Sequence, residues 1–119
     1  MLSILLLASA VSDIGYGEVV YCKGAAVQAE LTTCAWNAYK RADQEMNNVW
    51  RKLHVKADSK DAADVAVLKS QRAFLVYREQ TCIVPYLRES PGTMAKMEQA
   101  NCLAEITERR VVELQKIFR

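Results

Sequence analysis

The chain has 119 residues, of which 51% are hydrophobic and 25% charged, and its formal net charge is +2. This length fits one domain with a modest core, and so small a net charge does not indicate a nucleic-acid-binding protein. With four glycines, two prolines and no Asn-Gly or Asp-Gly hairpin dipeptide, the composition favours helices.

The N-terminal segment has the features of an export signal. Residues 1–10 are uncharged and mostly apolar, and they end in the small-x-small pattern Ala8-Ser9-Ala10. We interpret them as a signal peptide cleaved near Ala10; the alternative is an N-terminal strand or buried tail. The apolar run is too short to span a bilayer. Residues 11–26 lack a helical stripe and are predicted to form an extended arm before a helical domain at residues 27–119.

The first predicted helix runs from about Gln28 to Val55, because apolar residues recur there at three- and four-residue spacing. Val27 occupies the N-cap position, where a Ser or Thr would satisfy a free N–H group; valine cannot, at a cost of about 1 kcal/mol. The apolar stripe consists of Leu31, Ala35, Tyr39, Ala42, Met46, Val49, Trp50 and Leu53.

The second predicted helix follows a polar turn and runs from about Asp61 to Val84, with Ser59 or Asp61 as its cap. Pro85 lacks a backbone donor and is expected to kink or end this helix. The core-facing stripe is unusual because it carries an amide and a guanidinium at its centre. It consists of Val67, Leu68, Gln71, Phe74, Leu75, Arg78 and Cys82.

A turn at Ser90-Pro91-Gly92-Thr93 precedes the third predicted helix, which runs from about Met94 to Phe118. Arg110 lies within its apolar stripe of Leu103, Ile106, Leu114 and Ile117. Short connections between long helices predict antiparallel neighbours. The predicted fold is therefore all-α, a small antiparallel three-helix bundle stapled by disulfides.

A buried polar network is predicted from the charged and amide side chains near the core faces: Asp43, Asn47, Gln71, Arg78 and Arg110. A buried guanidinium needs a carboxylate or several acceptors. Counting residues away from each predicted turn gives the height of each side chain along the bundle. Asp43 and Arg110 fall at similar heights, which predicts an ion pair between them, and Arg110 lies opposite Phe74. Arg78 is expected to stack on an aromatic ring or to bond backbone carbonyls. We interpret the network as structural, fixing helix register; the alternative is a polar groove that binds a ligand.

Four cysteines in a short exported chain indicate disulfides. Three connectivities are possible, and we favour Cys22–Cys34 and Cys82–Cys102, each contributing about 3 kcal/mol. A four-thiolate zinc site is the alternative, disfavoured because no Cys-x-x-Cys occurs. Cys22 does not follow a small-residue lipobox, so no lipid anchor is predicted. The expected location is the bacterial periplasm or the exterior.

No catalytic residue, cofactor or metal site is predicted. His54, the one histidine, lies near a helix end, where a solvated or capping role is usual. No nucleophile elbow, phosphate loop or dinucleotide fingerprint occurs. Asp43 with Glu113 or Glu105 could form a glycosidase pair, but no motif selects it. The aromatic residues Trp36, Tyr39 and Trp50 are assigned to the core, with exposure of one as a sugar platform the alternative.

Several residue groups resemble a known family. They are Cys34-Ala35, Tyr39, Ala42-Asp43, Met46-Asn47, Trp50 and Leu53 in the first helix; Leu68, Gln71-Arg72-Ala73-Phe74, Tyr77-Arg78 and Cys82 in the second; and Gly92-Thr93, Cys102-Leu103, Thr107, Arg110 and Leu114 in the closing segment. Across residues 22–118 the chain resembles the bacterial lysozyme-inhibitor family named after the LprI lipoprotein. Val27, Trp50 and Phe74 replace the family's usual Thr, Tyr and Trp.

The resemblance implies a small exported helical domain with disulfides and, for some members, inhibition of host lysozyme. We therefore expect a non-enzymatic binding protein that occludes the cleft of a lysozyme-type muramidase. The alternative is an envelope interaction module, a partner or immunity-like protein without effect on lysozyme. Because common animal lysozymes are strongly basic, a local acidic patch is expected to help, at Glu89, Glu98, or Asp58 with Asp61.

Overall fold

The computed structural model describes residues 27–117, which form three helices: α1 (Gln28–Lys52), α2 (Ala62–Glu89) and α3 (Ala95–Ile117). No strand occurs in this range, and the predicted all-α bundle is confirmed. The predicted signal peptide, the arm and Cys22 lie outside the described residues, so the domain limits stay predictions. None of the three helices has the unbroken apolar length that crossing a membrane requires.

The ends of α1 follow from its sequence. Val27 precedes the helix and makes no side-chain capping bond, as predicted. The helix ends at Lys52, three residues before the predicted Val55. His54 has a φ of 54°, in the left-handed region, and its N–H donates to the Arg51 carbonyl at 3.2 Å. A left-handed residue at this point turns the chain away from the helix axis.

The start of α2 uses both predicted capping residues. Asp61 accepts a hydrogen bond from the Asp64 N–H through Oδ2 at 3.1 Å. Ser59 Oγ accepts from the Asp61 N–H at 3.3 Å and donates to the Asp64 carboxylate at 2.8 Å. The local hydrogen bonds therefore satisfy groups that the first helical turn leaves free.

The end of α2 differs from the prediction, because the helix continues through Pro85 to Glu89. An interior proline removes one backbone hydrogen bond and costs about 3 kcal/mol. Contacts on both sides of Pro85 offset this loss: Cys82 is fully buried, and Ile83 and Tyr86 are half-buried. The additional turn carries Tyr86 to the end of the bundle where α1 and α3 begin.

The predicted turn between α2 and α3 is confirmed, and it requires a glycine. The Gly92 N–H donates to the Glu89 carbonyl at 2.7 Å. A Cβ atom on Gly92 would lie 2.6 Å from that same backbone oxygen, which is closer than atoms can pack. Any larger residue would therefore have to move the backbone at the end of α2.

Contacts along the helices show that α1 and α3 run parallel to each other and α2 runs antiparallel to both. Near the start of α1, Trp36 packs against the cluster that contains Leu103, in the first half of α3. Near the end of α1, Met46 packs in the cluster that contains Leu114, near the end of α3. Conversely, Cys82 late in α2 is joined to Cys102 early in α3.

The central helix is α3, which contacts both others through its backbone, whereas no Cα atom of α1 lies within 8 Å of one of α2. The close contact between α1 and α3, here called the alanine seam, is built on small buried residues that let two backbones approach. These residues are Ala35, Ala38, Ala42, Ala100 and Ala104. At the far end of the seam Met46, Val49, Val111 and Leu114 fill the space between the helices.

Candidate functional site

Arg78 on α2 reaches across the bundle to both other helices. Its Nη1 donates to Asp43 Oδ1 on α1 at 2.8 Å and to Thr107 Oγ1 on α3 at 3.2 Å. The Arg78 side chain is 8% exposed and that of Asp43 34%, so the ion pair lies at the border of the core. The guanidinium carbon lies 5.3 Å from the Tyr39 ring centre and 5.8 Å from that of Phe74, which confirms the predicted aromatic contact.

Arg110 on α3 is satisfied mainly by α2. Its Nε donates to Gln71 Oε1 at 2.9 Å, and its Nη2 donates to Ser70 Oγ at 2.9 Å. Its Nη1 donates to Glu113 on the same helix at 3.1 Å. The guanidinium carbon lies 5.2 Å from the centre of the Phe74 ring, as the level counting predicted. We call this set of contacts, together with those of Arg78, the arginine network.

Two details of the predicted network are wrong. Asp43 pairs with Arg78 and not with Arg110, and Asn47 is exposed, outside the network. The level counting assumed that α1 and α2 lie side by side. Their Cα atoms do not come within 8 Å of each other, so contacts between α1 and α2 depend on longer side chains: Arg78 reaches Asp43, and Gln71 Nε2 donates to Met46 Sδ at 3.5 Å. Arg110 bonds the Gln71 amide oxygen on α2.

Tyr39 forms part of the wall around the Arg78 guanidinium. Burial raises the pKa of the Tyr39 phenol above its ordinary value of 10.0, and the nearby positive charge of Arg78 offsets part of this rise. The phenol therefore stays neutral through the physiological pH range. The neutral ring attracts the guanidinium through the negative face of its π system.

Each of the carboxylates considered as members of a glycosidase pair lies beside an arginine. Asp43 is bound by Arg78, Glu113 by Arg110 and Glu105 by Arg109, so the three proposed partners are held by three different arginines. Among residues 27–117, no group of three His, Cys, Asp or Glu side chains is placed to hold a metal ion. All three guanidinium nitrogens of Arg110 donate hydrogen bonds, whereas the buried Nε of Arg78 has no hydrogen-bond partner among residues 27–117. The structural role of the arginine network stays a prediction.

The disulfide between Cys82 and Cys102 is present and joins α2 to α3, as predicted. Cys34 is also disulfide-bonded, and its predicted partner Cys22 lies outside the described residues. Because none of these three described cysteines is a free thiol, the zinc alternative is wrong for them. The alternative locations proposed for an acidic patch lie at opposite ends of α2: Asp58 and Asp61 precede the helix, while Glu89 and Glu98 lie near its other end, about 40 Å away by helix rise.

The most unusual surface lies on α2, which buries polar groups and exposes apolar ones. Its buried residues are Gln71, Arg78 and Cys82. On the opposite side, helical spacing places four large hydrophobic residues within about 100° of arc. These residues are Val76, Tyr77, Val84 and Leu87, with exposures of 64%, 57%, 40% and 62%, and we call them the outer face of α2.

Sequence reasoning missed the outer face, although a signal for it was present. The segment from Val76 to Leu87 contains apolar residues on both sides of the helix, so its sequence shows no single apolar stripe. Helical spacing assigns the face that holds Gln71, Arg78 and Cys82 to the core. The remaining apolar residues then had no assigned partner, and that excess is the signal of an exposed binding surface.

Comparison with known proteins places these features in a family. A family model described as "Lysozyme inhibitor LprI" matches residues 22–114. An uncharacterized protein of Rhizobium meliloti (strain 1021) is 32% identical over 128 aligned residues, which cover 98% of this chain and 91% of the relative. No solved structure matches the chain significantly. The family match covers α1, α2 and α3 as far as residue 114, and so includes the arginine network and the disulfide between α2 and α3.

Proposed function

Because the chain belongs to the LprI lysozyme inhibitor family, we propose that it inhibits a lysozyme-type muramidase of the bacterial cell envelope by covering the cleft of the enzyme. The family match over residues 22–114 is the observation that carries this proposal. The relative from Rhizobium meliloti has no assigned activity and adds support for the fold alone.

We propose an oxidising compartment outside the cytoplasm as the place of action. The Cys82–Cys102 disulfide supports this location, because protein disulfides persist in the periplasm and outside the cell but are rare in the cytosol. The N-terminal pattern Ala8-Ser9-Ala10 supports export by signal-peptide cleavage. An inhibitor located there would meet muramidases where they act on the cell wall.

The outer face of α2 is the contact surface that we propose for the enzyme. Arg72 precedes Val76 by one helical turn, and Arg88 follows Val84 by one turn, so an arginine flanks each end of the apolar face. Both arginines are exposed, and neither forms an ion pair within residues 27–117. Aromatic residues and arginines in apolar surroundings are the side chains that most often anchor protein interfaces.

The chemistry of the partner fits this surface. Glycoside hydrolases of the lysozyme type carry a pair of carboxylates in the cleft. A guanidinium beside apolar side chains can pair with those carboxylates while the apolar side chains exclude water. A net charge of +2 gives no long-range attraction to a basic lysozyme. Recognition therefore depends on local pairing of Arg72 or Arg88 with the cleft.

An enzyme assay tests the proposal. At micromolar concentration the protein should slow the lysis of a peptidoglycan suspension by at least one lysozyme among animal, phage and bacterial types. It should equally slow hydrolysis of a soluble neutral chito-oligosaccharide, because the enzyme and not the wall is the target. No inhibition of any of these enzymes would overturn the proposal. A specific protein partner found by crosslinking would then support the envelope interaction module.

A matched pair of variants tests the surface. Arg72→Glu should weaken inhibition about ten-fold or more, because it places a negative charge against the carboxylates of the cleft. Lys52→Glu makes the same change of charge at the exposed end of α1 and should leave inhibition unchanged. Equal effects of the two variants would show that net charge, and not the outer face of α2, determines binding.

A further inference from the structure

An open cleft lies at the end of the bundle where α1 and α3 begin and α2 ends. Its volume is about 630 Å³, which is within the range of small-molecule binding sites. It shares no residue with the outer face of α2. The side chains that matter for its chemistry are Trp36, Asn37, Lys40, Tyr86, Lys96 and Gln99.

Two aromatic side chains are held in place along the cleft. Trp36 is half-buried, and its ring meets that of Tyr39 edge to face, with centroids 5.8 Å apart and planes at 71°. Tyr86 is also half-buried and reaches the cleft because α2 continues past Pro85. Partial burial fixes these rings while part of each remains accessible, as an aromatic binding platform requires.

The cleft also collects positive charge. Lys40 and Lys96 are exposed, and neither forms an ion pair in the part of the chain that the structure describes. The helix α3 begins at Ala95, so its positive end lies beside Lys96. Three acidic residues lie at this end of the bundle: Glu30 lines a neighbouring depression, Glu89 is the exposed last residue of α2, and Glu98 is half-buried on a different side of α3 from Lys96.

Two amide side chains complete the site. Asn37 is exposed and Gln99 half-buried, and both line the cleft. Neither amide makes a side-chain hydrogen bond within residues 27–117. An amide provides both donors and an acceptor, so the pair can bind hydroxyl and acetamido groups. An apolar ligand would leave these amides and both lysines unused.

We propose that this cleft binds a short acidic glycan, a chain of N-acetylated amino sugars that carries carboxylates, with peptidoglycan as its source in the envelope. The C–H faces of the sugar rings would pack on Trp36 and Tyr86. The acetamido and hydroxyl groups would bond Asn37 and Gln99, and the carboxylates would pair with Lys40 and Lys96. The protein would then bind the cell wall directly, which raises its concentration where muramidases act. This inference does not rest on inhibition of an enzyme.

Binding measurements with a matched pair of double variants test the inference. The probes are purified peptidoglycan in a sedimentation assay and, by calorimetry, a soluble N-acetylglucosamine–N-acetylmuramic acid disaccharide peptide compared with neutral chitotetraose. Lys40→Gln/Lys96→Gln should weaken binding of the acidic fragment about three- to ten-fold. Lys52→Gln/Lys116→Gln removes the same charge from exposed lysines at the other end of the bundle and should leave binding unchanged.

Each result has a defined meaning. Tighter binding of the acidic fragment than of chitotetraose, reduced only by Lys40→Gln/Lys96→Gln, would confirm the inference. Equal binding of both probes, equal effects of the two double variants, or no binding at millimolar concentration would overturn it. Inhibition of lysozyme on the neutral soluble substrate, measured with the same proteins, reports separately on the proposed function. A protein that binds glycan without inhibiting, or inhibits without binding glycan, therefore shows which of the two proposals fails.

Discussion

The two contacts that α3 makes, one with α1 and one with α2, are built in different ways. The alanine seam between α1 and α3 consists of small residues that allow close approach of the backbones, and the buried Glu108 lines a depression there beside Ala38 and Ala42. The contact with α2 combines the arginine network with an apolar cluster of Cys82, Leu103 and Ile106, against which Phe74 packs. Although α2 is the longest helix, it fully buries only three residues, whereas α3 buries ten.

This difference separates two tasks within one small bundle. Apolar burial between α1 and α3 supplies bulk stability, because it scales with the area removed from water. The arginine network determines how α2 is positioned against the other helices, because each guanidinium requires acceptors at defined positions. Arg78 fixes α2 against both neighbours, and Arg110 fixes the level of Gln71. Once α2 is held from within, its opposite side is free to expose apolar residues.

The largest effect should come from the alanine seam. Leu114 is 0% exposed and packs with Met46, so Leu114→Ala leaves a cavity and should lower the free energy of unfolding by about 2–5 kcal/mol. Ile117→Ala, one turn later on α3, removes a side chain that is 59% exposed and should cost less than about 0.5 kcal/mol. Urea denaturation measures both. Equal losses would contradict the view that the seam carries most of the stability.

A smaller effect is expected in the arginine network. Asp43→Asn keeps the shape of the side chain but leaves the buried Arg78 with only the exposed carboxylate of Glu79, 3.9 Å from its Nε, as counter-charge, which should cost about 1–3 kcal/mol. The loss stays below that of Leu114→Ala because Asp43 is 34% exposed and water screens the pair. Glu45→Gln removes a charge from an exposed position two residues later. If urea denaturation shows the same stability for both variants, the ion pair does not hold α2.

The smallest effect concerns Tyr39, at the border between the two contacts. Because burial raises its pKa in the folded protein, the unfolded chain loses the phenolic proton first as the pH rises past about 10. The stability linked to this group is complete below that pH and is lost as the pH passes through the raised pKa. The midpoint temperature of thermal unfolding should fall less steeply between about pH 9 and 11 for Tyr39→Phe than for the control Tyr77→Phe at an exposed site. Parallel curves would contradict this.

Local features of the fold could be predicted from the sequence because neighbouring residues determine them. Asp61 and Ser59 cap α2 through bonds within a few residues, and the requirement for Gly92 arises inside its own turn. The disulfide between Cys82 and Cys102 links the two sides of that turn. Each of these predictions used distances along the chain, and the structure confirms them.

Features that depend on which helices touch could not be predicted in the same way. The prediction that Asp43 pairs with Arg110 was wrong because positions along the chain do not show that the Cα atoms of α1 and α2 stay more than 8 Å apart. The extension past Pro85 depends on burial of Tyr86 and Ile83 by tertiary contacts, which override the local cost of proline. The cleft combines the ends of three helices, so no single segment indicates it.

The bond between Cys82 and Cys102 also determines how α2 can come loose. It fastens the last part of α2 beside the turn that already joins α2 to α3, so that end of the helix is held twice. The opposite end, at Ala62, is connected only through the segment from Leu53 to Asp61. Partial unfolding should therefore begin at Ala62 and advance toward Cys82. The last turns of α2 should stay attached to α3 and act as a hinge about which the rest of the helix packs again.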